Sequence, residues 1–145
     1  MFHNFESEPL TPAEALELNP VTLAFVGDAV YELLARGSVV AEGNASPGLL
    51  HRKAVHFARA GSQAKAVRII LPILTKEEND LIRRGRNANT VHIAKHASPA
   101  DYRYATGLES LFGYLYLTGN KARIHTLFAL IAEGMEKAVQ SANRK

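Results

Sequence analysis

Two acidic residues stand out because each lies in an apolar segment of the kind that fills protein cores. Asp28 lies within the run FVGDAVYE, and Glu109 lies within the run LESLFGYL. Burial of an unpaired carboxylate costs on the order of several kcal/mol. The sequence therefore predicts that a cation or a polar cleft faces both acids.

The surroundings of the two acids favour a shared cation. No Lys or Arg lies one helical turn from either acid, so a local salt bridge does not explain them. Gly27 and Gly113 would let two helices approach closely and bring the carboxylates to one small site. Two carboxylates in one site repel each other unless a divalent cation lies between them, and oxygen ligands with several retained waters suit Mg²⁺. Such an ion supports phosphodiester hydrolysis. The alternative is that each acid is solvated in a groove or paired with a distant base.

Helix-capping signals predict the elements that must position these acids. Capping boxes begin at Thr11 and Thr75, and a capping residue precedes proline at Ser46 and Ser98. Strand candidates are few, and the capping pattern around the best of them, residues 67–74, favours helix. The predicted helices run from Thr11 to before Asn19, from Pro20 to Arg36 with Gly37 ending it, from Pro47 to about Ala60, from the Gly61-Ser62 break to before Pro72, from Thr75 toward Arg86, from Pro99 to about Thr118, and from Lys121 to near Gln140.

An all-α single domain follows from these signals. The helices over residues 20–36 and 99–118 are apolar on nearly every face, which predicts central helices packed on several sides. Residues 87–97 lack clear periodicity and are predicted to form a mobile loop. The domain is expected to span residues 1–145, with frayed ends at about residues 1–9 and 141–145.

Composition excludes several classes of protein. The chain has 145 residues, of which 47% are hydrophobic and 21% charged, which suits one compact domain. No run approaches the roughly 18 to 20 apolar residues of a membrane span, and the acidic start MFHNFESEPL does not resemble a signal peptide. We therefore expect a cytoplasmic protein without membrane contact. The absence of cysteine leaves only oxygen or imidazole ligands for a metal.

Charge is distributed unevenly along the chain. Residues 1–42 contain one base, Arg36, and are net negative, whereas residues 43–76 contain bases and no acid. A second basic stretch runs from Arg83 to Arg103, with Asp101 as its one acid. This asymmetry suits a polyanionic partner. The alternative is an ordinary solvated basic face.

Several segments resemble a known family. FVGDAVYELLAR resembles the signature helix of the ribonuclease III endonuclease domain, and YATGLESLFGYLYL resembles the second acidic helix of that family. Longer members of the family carry further acids where this chain has Val21, Ala24 and Thr106, so the number of metal ions stays open. The chain most resembles the short Mini-III branch, with which it shares Leu49, His51 and Lys53, the run RRGRNA at 83–88 and YRY at 102–104. We accordingly expect no double-stranded-RNA-binding domain beyond Lys145.

The resemblance implies a function. It implies an obligate homodimer that uses Mg²⁺, with Mn²⁺ as a substitute, to hydrolyse double-stranded RNA into 5′-phosphate and 3′-hydroxyl ends. Asp28 and Glu109 would be the catalytic metal ligands, and the substrate would be the precursor of large-subunit (23S) ribosomal RNA. RNA contacts are expected from basic side chains of the catalytic domain, namely Lys53, Lys65, Arg83, Arg84 and Arg86. The alternative is a noncatalytic RNA-binding or ribosome-assembly module on the same fold.

Three further features have less specific interpretations. His92 and His96 have a spacing that can hold zinc on a helix, but a third ligand is missing and Lys95 would repel the ion, so phosphate contact or solvation is favoured. Glu32 is either a partner of a metal ligand or a dimer contact. Four tyrosines are predicted to lie in the core or the dimer interface rather than to stack on bases, namely Tyr102, Tyr104, Tyr114 and Tyr116.

Overall fold

The computed structural model describes residues 1–88 and 98–144. These residues form seven α-helices and a short 3₁₀ helix, without a strand, so the predicted all-α fold is confirmed for them. No helix in these two ranges has the length and apolar character needed to cross a membrane. The elements are α1 (Pro12–Leu16), α2 (Pro20–Val40), α3 (Pro47–Ala58), α4 (Ala60–Ile70), the 3₁₀ helix (Leu71–Ile73), α5 (Lys76–Arg86), α6 (Pro99–Leu117) and α7 (Lys121–Asn143).

The predicted caps define where the helices begin. Thr11 and Thr75 each form a complete capping box, with Glu14 and Glu78 as the respective partners. The side chains of Ser46 and Ser98 also accept hydrogen bonds from backbone amides in the first turns of α3 and α6. These bonds satisfy amide groups that lack a partner within the helix, so local chemistry alone sets these starts.

The end of α2 differs from the prediction. The helix does not stop at Gly37 but continues to Val40, because Val39 is buried in the core and the extra turn is retained by packing. Gly43, with φ of 113°, has the positive φ typical of a residue that follows a helix end. Gly37 is therefore an interior helical residue, whose intrinsic cost of about 1 kcal/mol is outweighed by packing of the last turn.

The boundary between α3 and α4 also differs from the prediction. The break lies at Arg59, whose backbone is extended, and Gly61 and Ser62 belong to the first turn of α4. Ser62 Oγ donates a hydrogen bond to the His56 carbonyl oxygen at 2.5 Å and accepts one from Arg59 Nε at 3.1 Å. The serine thus satisfies a carbonyl at the end of α3.

The two ends of the described chain make different contacts. Helix α7 ends at Asn143, beyond the expected end near Gln140. At the other end, Phe5 packs against the core, and the Leu10 amide donates to the Leu117 carbonyl oxygen at 2.8 Å. The first residues therefore lie against the end of α6.

Helix α6 is the central helix, since it contacts α1, α2, α4, α5 and α7. Tyr31 of α2 lies edge-on to Phe112 of α6 and to Phe128 of α7, with ring centroids 5.4 Å apart in both pairs. Away from this aromatic cluster, the Arg123 guanidinium of α7 donates to both carboxylate oxygens of Glu78 in α5, at 2.7 and 2.8 Å. Burial opposes ionisation of Glu78, but the hydrogen bonds from Arg123 and from the Thr75 backbone outweigh it and lower the pKa of Glu78.

Helix α2 packs against several elements, as predicted, but one apolar face of this helix is exposed. Its inner face packs on α3, α5 and α6, but Phe25 and Leu33 on the outer face are 81% and 71% exposed. Val40 lies on the same side and is 64% exposed. The apolar character of this face is therefore not explained by packing within one chain.

Glycine allows direct backbone contact where α2 crosses α6. A Cβ atom added at Gly27 would overlap the Glu109 carbonyl, and one added at Gly113 would overlap the Leu23 carbonyl. The close approach predicted from these two glycines is confirmed. It places Asp28, which follows Gly27, beside the segment of α6 that carries Glu109.

This contact generates a prediction about stability. We expect Gly27→Ala to lower the free energy of unfolding by more than about 2 kcal/mol, because the added methyl group must push two backbones apart. Gly37→Ala is the matched control in the same helix, since a Cβ there meets nothing within 4 Å. It should leave stability unchanged or raise it by up to about 1 kcal/mol. Urea unfolding of both variants checks this, and equal effects would contradict the proposed close contact.

Candidate functional site

Asp28 and Glu109 lie side by side at the crossing of α2 and α6. Their carboxyl groups are within hydrogen-bonding reach of each other. Asp28 is exposed, whereas Glu109 is partly buried between the helices. The structure therefore brings together the two acids that the sequence places more than half the chain apart.

The environment of this pair disfavours two negative charges. Burial, with the hydrogen bond and the charge of Asp28, raises the pKa of Glu109 to about 9. A carboxylate pair of this kind holds one proton between its members at neutral pH unless a cation replaces it. Its oxygen donors fit a hard divalent ion such as Mg²⁺, which typically binds one or two carboxylates and keeps several waters.

Among the residues that the structure describes, no third acid joins this pair in a metal-binding arrangement. In the described ranges, no group of three or more His, Asp or Glu side chains is positioned to hold a metal. At two of the positions where the resemblance implies acids in longer family members, Ala24 is buried, and the buried Thr106 hydroxyl donates to the Tyr102 carbonyl oxygen at 3.1 Å. Val21, the third such position, is 40% exposed. Within residues 1–88 and 98–144, Asp28 and Glu109 are therefore the candidate protein ligands of a bound ion.

Ser110, which the sequence interpretation did not single out, helps to position Glu109. Its side chain is fully buried, and its Oγ lies 2.8 Å from the Pro20 carbonyl oxygen and 2.9 Å from the Thr106 carbonyl oxygen. The bond to Pro20 links the first turn of α2 to the residue that follows Glu109. The sequence feature that could have identified Ser110 is a serine directly after the acid in an otherwise apolar segment.

Tyr31 is a second residue that sequence analysis missed. Its hydroxyl is buried and has no hydrogen-bond partner in the part of the chain that is described. Burial, together with the charge of Glu109, raises the pKa of Tyr31 well above its usual range. The phenol is therefore a neutral donor near the acid pair. The sequence feature that could have identified Tyr31 is a tyrosine one helical turn after Asp28 in an apolar segment.

Glu32 has a local partner. Its carboxylate accepts a hydrogen bond from Arg36 Nη2 at 2.9 Å, on the exposed side of α2. The sequence left two roles open for Glu32, a partner of a metal ligand or a dimer contact, and the structure shows neither directly. It places the ion pair beside the exposed apolar residues of α2.

The five predicted RNA contacts do not all lie in one groove or cavity. Lys53 lies in a groove between α2, α3 and α7 and pairs with Glu42 at 2.7 Å. Arg83 and Arg86 line a separate cavity between α4, α5 and α6. Lys65 is exposed on α4, and Arg84 is half-buried on α5. The structure therefore brings Arg83 and Arg86 together and separates them from Lys53.

The tyrosine prediction is confirmed in part. Tyr104, Tyr114 and Tyr116 pack against the hydrophobic core. Tyr104 has a further contact, since the Arg86 guanidinium lies over its ring at 5.7 Å from the centroid. The histidine spacing at His92 and His96 lies outside the described residues.

Comparisons with known proteins place these observations in context. Residues 21–120 match the family described as the ribonuclease III domain. The chain is 41% identical over 131 residues to the Mini-ribonuclease 3 of Thermoanaerobacter sp. (strain X514), covering 90% of this chain and 92% of that protein. It is 45% identical over 113 residues to the Mini-ribonuclease 3 of Enterococcus faecalis, covering 77% of this chain and 86% of that protein. A crystal structure of a Fusobacterium nucleatum protein has a similar fold, with a TM-score of 0.73 at 24% identity, and covers 79% of this chain and 93% of that one.

The acid pair predicts a pH-dependent stability. Because the folded-state pKa of Glu109 is about 9 and its ordinary value is 4.5, the folded protein binds more protons than the unfolded chain between these values. Without divalent cations, stability should therefore fall as pH rises through this range, by about 1 kcal/mol or more. Urea unfolding in EDTA at several pH values measures this decrease in the free energy of unfolding. Glu109→Gln should flatten the decline, and parallel pH profiles for the two proteins would contradict the prediction.

Proposed function

Since this chain belongs to the Mini-ribonuclease 3 branch of the ribonuclease III family, we propose that it is a Mg²⁺-dependent endoribonuclease that cleaves double-stranded RNA. We further propose that it acts in the cytoplasm on the precursor of 23S ribosomal RNA. The observation that carries the metal dependence is the juxtaposition of Asp28 and Glu109 at the crossing of α2 and α6. The branch-specific motifs support the choice of substrate.

In this proposal the two acids hold the metal and orient the reacting groups. A bound Mg²⁺ or Mn²⁺ would supply electrostatic stabilisation of the phosphodiester and a hydroxide nucleophile at neutral pH. Glu109 must release its proton to act as a ligand, and the charge of the cation favours that release. Ser110 keeps α6 in register with the start of α2 through the Pro20 carbonyl, so Glu109 faces Asp28. Hydrolysis then leaves 5′-phosphate and 3′-hydroxyl ends.

Basic side chains outside the acid pair would bind the RNA backbone. Double-stranded RNA is recognised mainly through phosphates and 2′-hydroxyls, and Lys65 and the α5 arginines present charge suited to these groups. Arg83 and Lys53 already pair with Asp80 and Glu42 on the surface. Exposed ion pairs contribute only about 0.2–1 kcal/mol, so a phosphate can compete for these bases.

We propose a homodimer in which α2 contacts the α2 helix of a second copy. The exposed apolar residues of α2 support this, because a two-fold interface buries the same surface on both copies. Phe25 lies one turn before Asp28, so such an interface would adjoin the acid pair. Two acid sites near the two-fold axis of such a dimer would suit cleavage of both strands of a duplex.

A noncatalytic RNA-binding or ribosome-assembly module remains the second candidate. The observation that favours it is the loss of acids at Val21, Ala24 and Thr106, which leaves two carboxylates at the site. A binding module would retain duplex RNA without producing fragments.

The catalytic assignment is tested with isosteric amides. We expect Asp28→Asn and Glu109→Gln each to lower the rate of duplex RNA cleavage by about 100-fold or more, because each removes a charged metal ligand. Affinity for the duplex should stay within about 3-fold, since the basic side chains are unchanged. Cleavage is measured with end-labelled duplex RNA, with and without Mg²⁺, and fragment ends are identified by their phosphorylation.

Glu133→Gln provides the control, because Glu133 is an exposed acid on α7 paired with Lys137. It should cleave at the wild-type rate. Full cleavage by both site variants, or cleavage by the wild type in EDTA, would overturn the metal-dependent mechanism. RNA binding by the wild type without cleavage would favour the noncatalytic candidate.

The dimer is tested by a charge on the exposed face of α2. Leu33→Asp should weaken self-association by about 100-fold or more, because it would bury an unpaired carboxylate in the interface. Val139→Asp is the control, since Val139 is an exposed apolar residue on α7, where no interface is proposed. Analytical ultracentrifugation measures both. A wild type that sediments as a monomer, or equal effects of the two substitutions, would contradict the arrangement.

A further inference from the structure

A cavity of about 340 Å³ lies between α4, α5 and α6 and has two chemically distinct parts. Three of its lining residues are aliphatic, Val67, Leu71 and Ile82, and they are called its floor below. Three lining arginines, Arg68 from α4 and Arg83 and Arg86 from α5, are called its rim. The cavity therefore combines an apolar surface with a guanidinium cluster.

The positive charge of this rim is only partly compensated. Asp80 also lines the cavity and pairs with Arg83 at 3.1 Å. In residues 1–88 and 98–144, no Asp or Glu lies within 4.0 Å of Arg68 or Arg86, and the intervening segment 89–97 contains no acid in its sequence. Arg86 is instead positioned over the Tyr104 ring. A ligand with a negative group would therefore find two uncompensated guanidinium groups.

The cavity is distinct from the acid pair. Tyr104 and Glu109 both belong to α6, and their separation of five residues corresponds to about 7.5 Å along the helix axis and about 140° around it. The two residues therefore face different sides of the central helix. Close packing of Gly85 against Gly107 holds α5, and with it the arginines, at a fixed position on that helix.

The chemistry of the cavity favours a nucleotide over a phosphate alone. A phosphate of a regular duplex would be bound by the arginines but would leave the aliphatic floor uncovered. An unpaired nucleotide satisfies both parts, since its base can cover the apolar floor while its phosphate accepts hydrogen bonds from guanidinium groups. A volume of about 340 Å³ lies within the range of small-ligand pockets, roughly 300–1,000 Å³.

We propose that this cavity binds an unpaired nucleotide of the RNA next to the duplex that is cleaved, with Arg68 and Arg86 on its phosphate. The inference rests on the proposed function for the identity of the ligand. It gives the enzyme a means to distinguish a duplex flanked by single-stranded RNA from a blunt one.

RNA binding tests the proposal without requiring cleavage. Affinities are measured in EDTA for a blunt duplex and for the same duplex extended by two unpaired nucleotides. The wild type should bind the extended duplex about 5-fold or more tightly, because the unpaired nucleotide adds a charge-assisted phosphate contact and apolar contacts that the blunt duplex lacks. Arg68→Ala should remove this preference and change blunt-duplex affinity less. Arg144→Ala, an exposed arginine at the end of α7, should retain it. A preference that survives Arg68→Ala would overturn the proposal.

A second measurement separates this proposal from the proposed function. Uridine 5′-monophosphate is titrated into the isotopically labelled protein, and NMR shifts of Val67, Ile82 and Tyr104 are followed. Saturable shifts at these residues, lost in Arg68→Ala, support the cavity even if the protein fails to cleave RNA. Equal shifts with inorganic phosphate, or shifts with an acidic peptide and none with the nucleotide, would overturn the nucleotide assignment even if cleavage is observed.

Discussion

The backbone contact between α2 and α6 is the constraint on which the acid site depends. Gly27 and Gly113 leave no side chain between the two helices, so each glycine meets a carbonyl group of the opposite helix. Larger residues would set the axes at the ordinary 8–10 Å separation. The close approach places Asp28 and Glu109 together and also makes their mutual repulsion unavoidable. A proton or a cation must therefore neutralise the pair, and this requirement follows from the fold itself.

A second glycine contact relates the basic cavity to the same central helix. Gly85 of α5 packs against Gly107 of α6, and a Cβ added at Gly85 would lie 2.5 Å from Ser110 Oγ. That oxygen is also bonded to the Pro20 carbonyl of α2. One short segment of α6 therefore positions the helix that carries Asp28 and the helix that carries Arg86. The distance between the acid pair and the arginines is set by backbone packing rather than by flexible side chains.

The sequence predicts the features that depend on local chemistry. Thr11, Thr75 and Ser98 begin helices because their side chains bond to amides three residues later, and this requires no tertiary contact. The end of α2 could not be predicted in the same way. Gly37 has the residue type of a helix terminus, and only the burial of Val39 by other elements explains why the helix continues. The pairing of Asp28 with Glu109 was predictable because Gly27 precedes Asp28 and Gly113 lies one helical turn after Glu109. The cavity at Arg68 instead arises from three helices whose relative placement the sequence pattern does not define.

The exposed face of α2 is another feature that the sequence pattern does not fully predict. It also connects dimer formation with the acid site. Periodicity identifies an apolar face but does not reveal whether the same chain or another covers it. Phe25 lies on that face one turn from Asp28, whose carboxyl group is exposed in a single chain. A second copy packed on Phe25 would remove water from around Asp28 and strengthen the repulsion between the two carboxyl groups. Dimer formation and cation binding would then favour each other, because a cation relieves the repulsion that dimer formation increases.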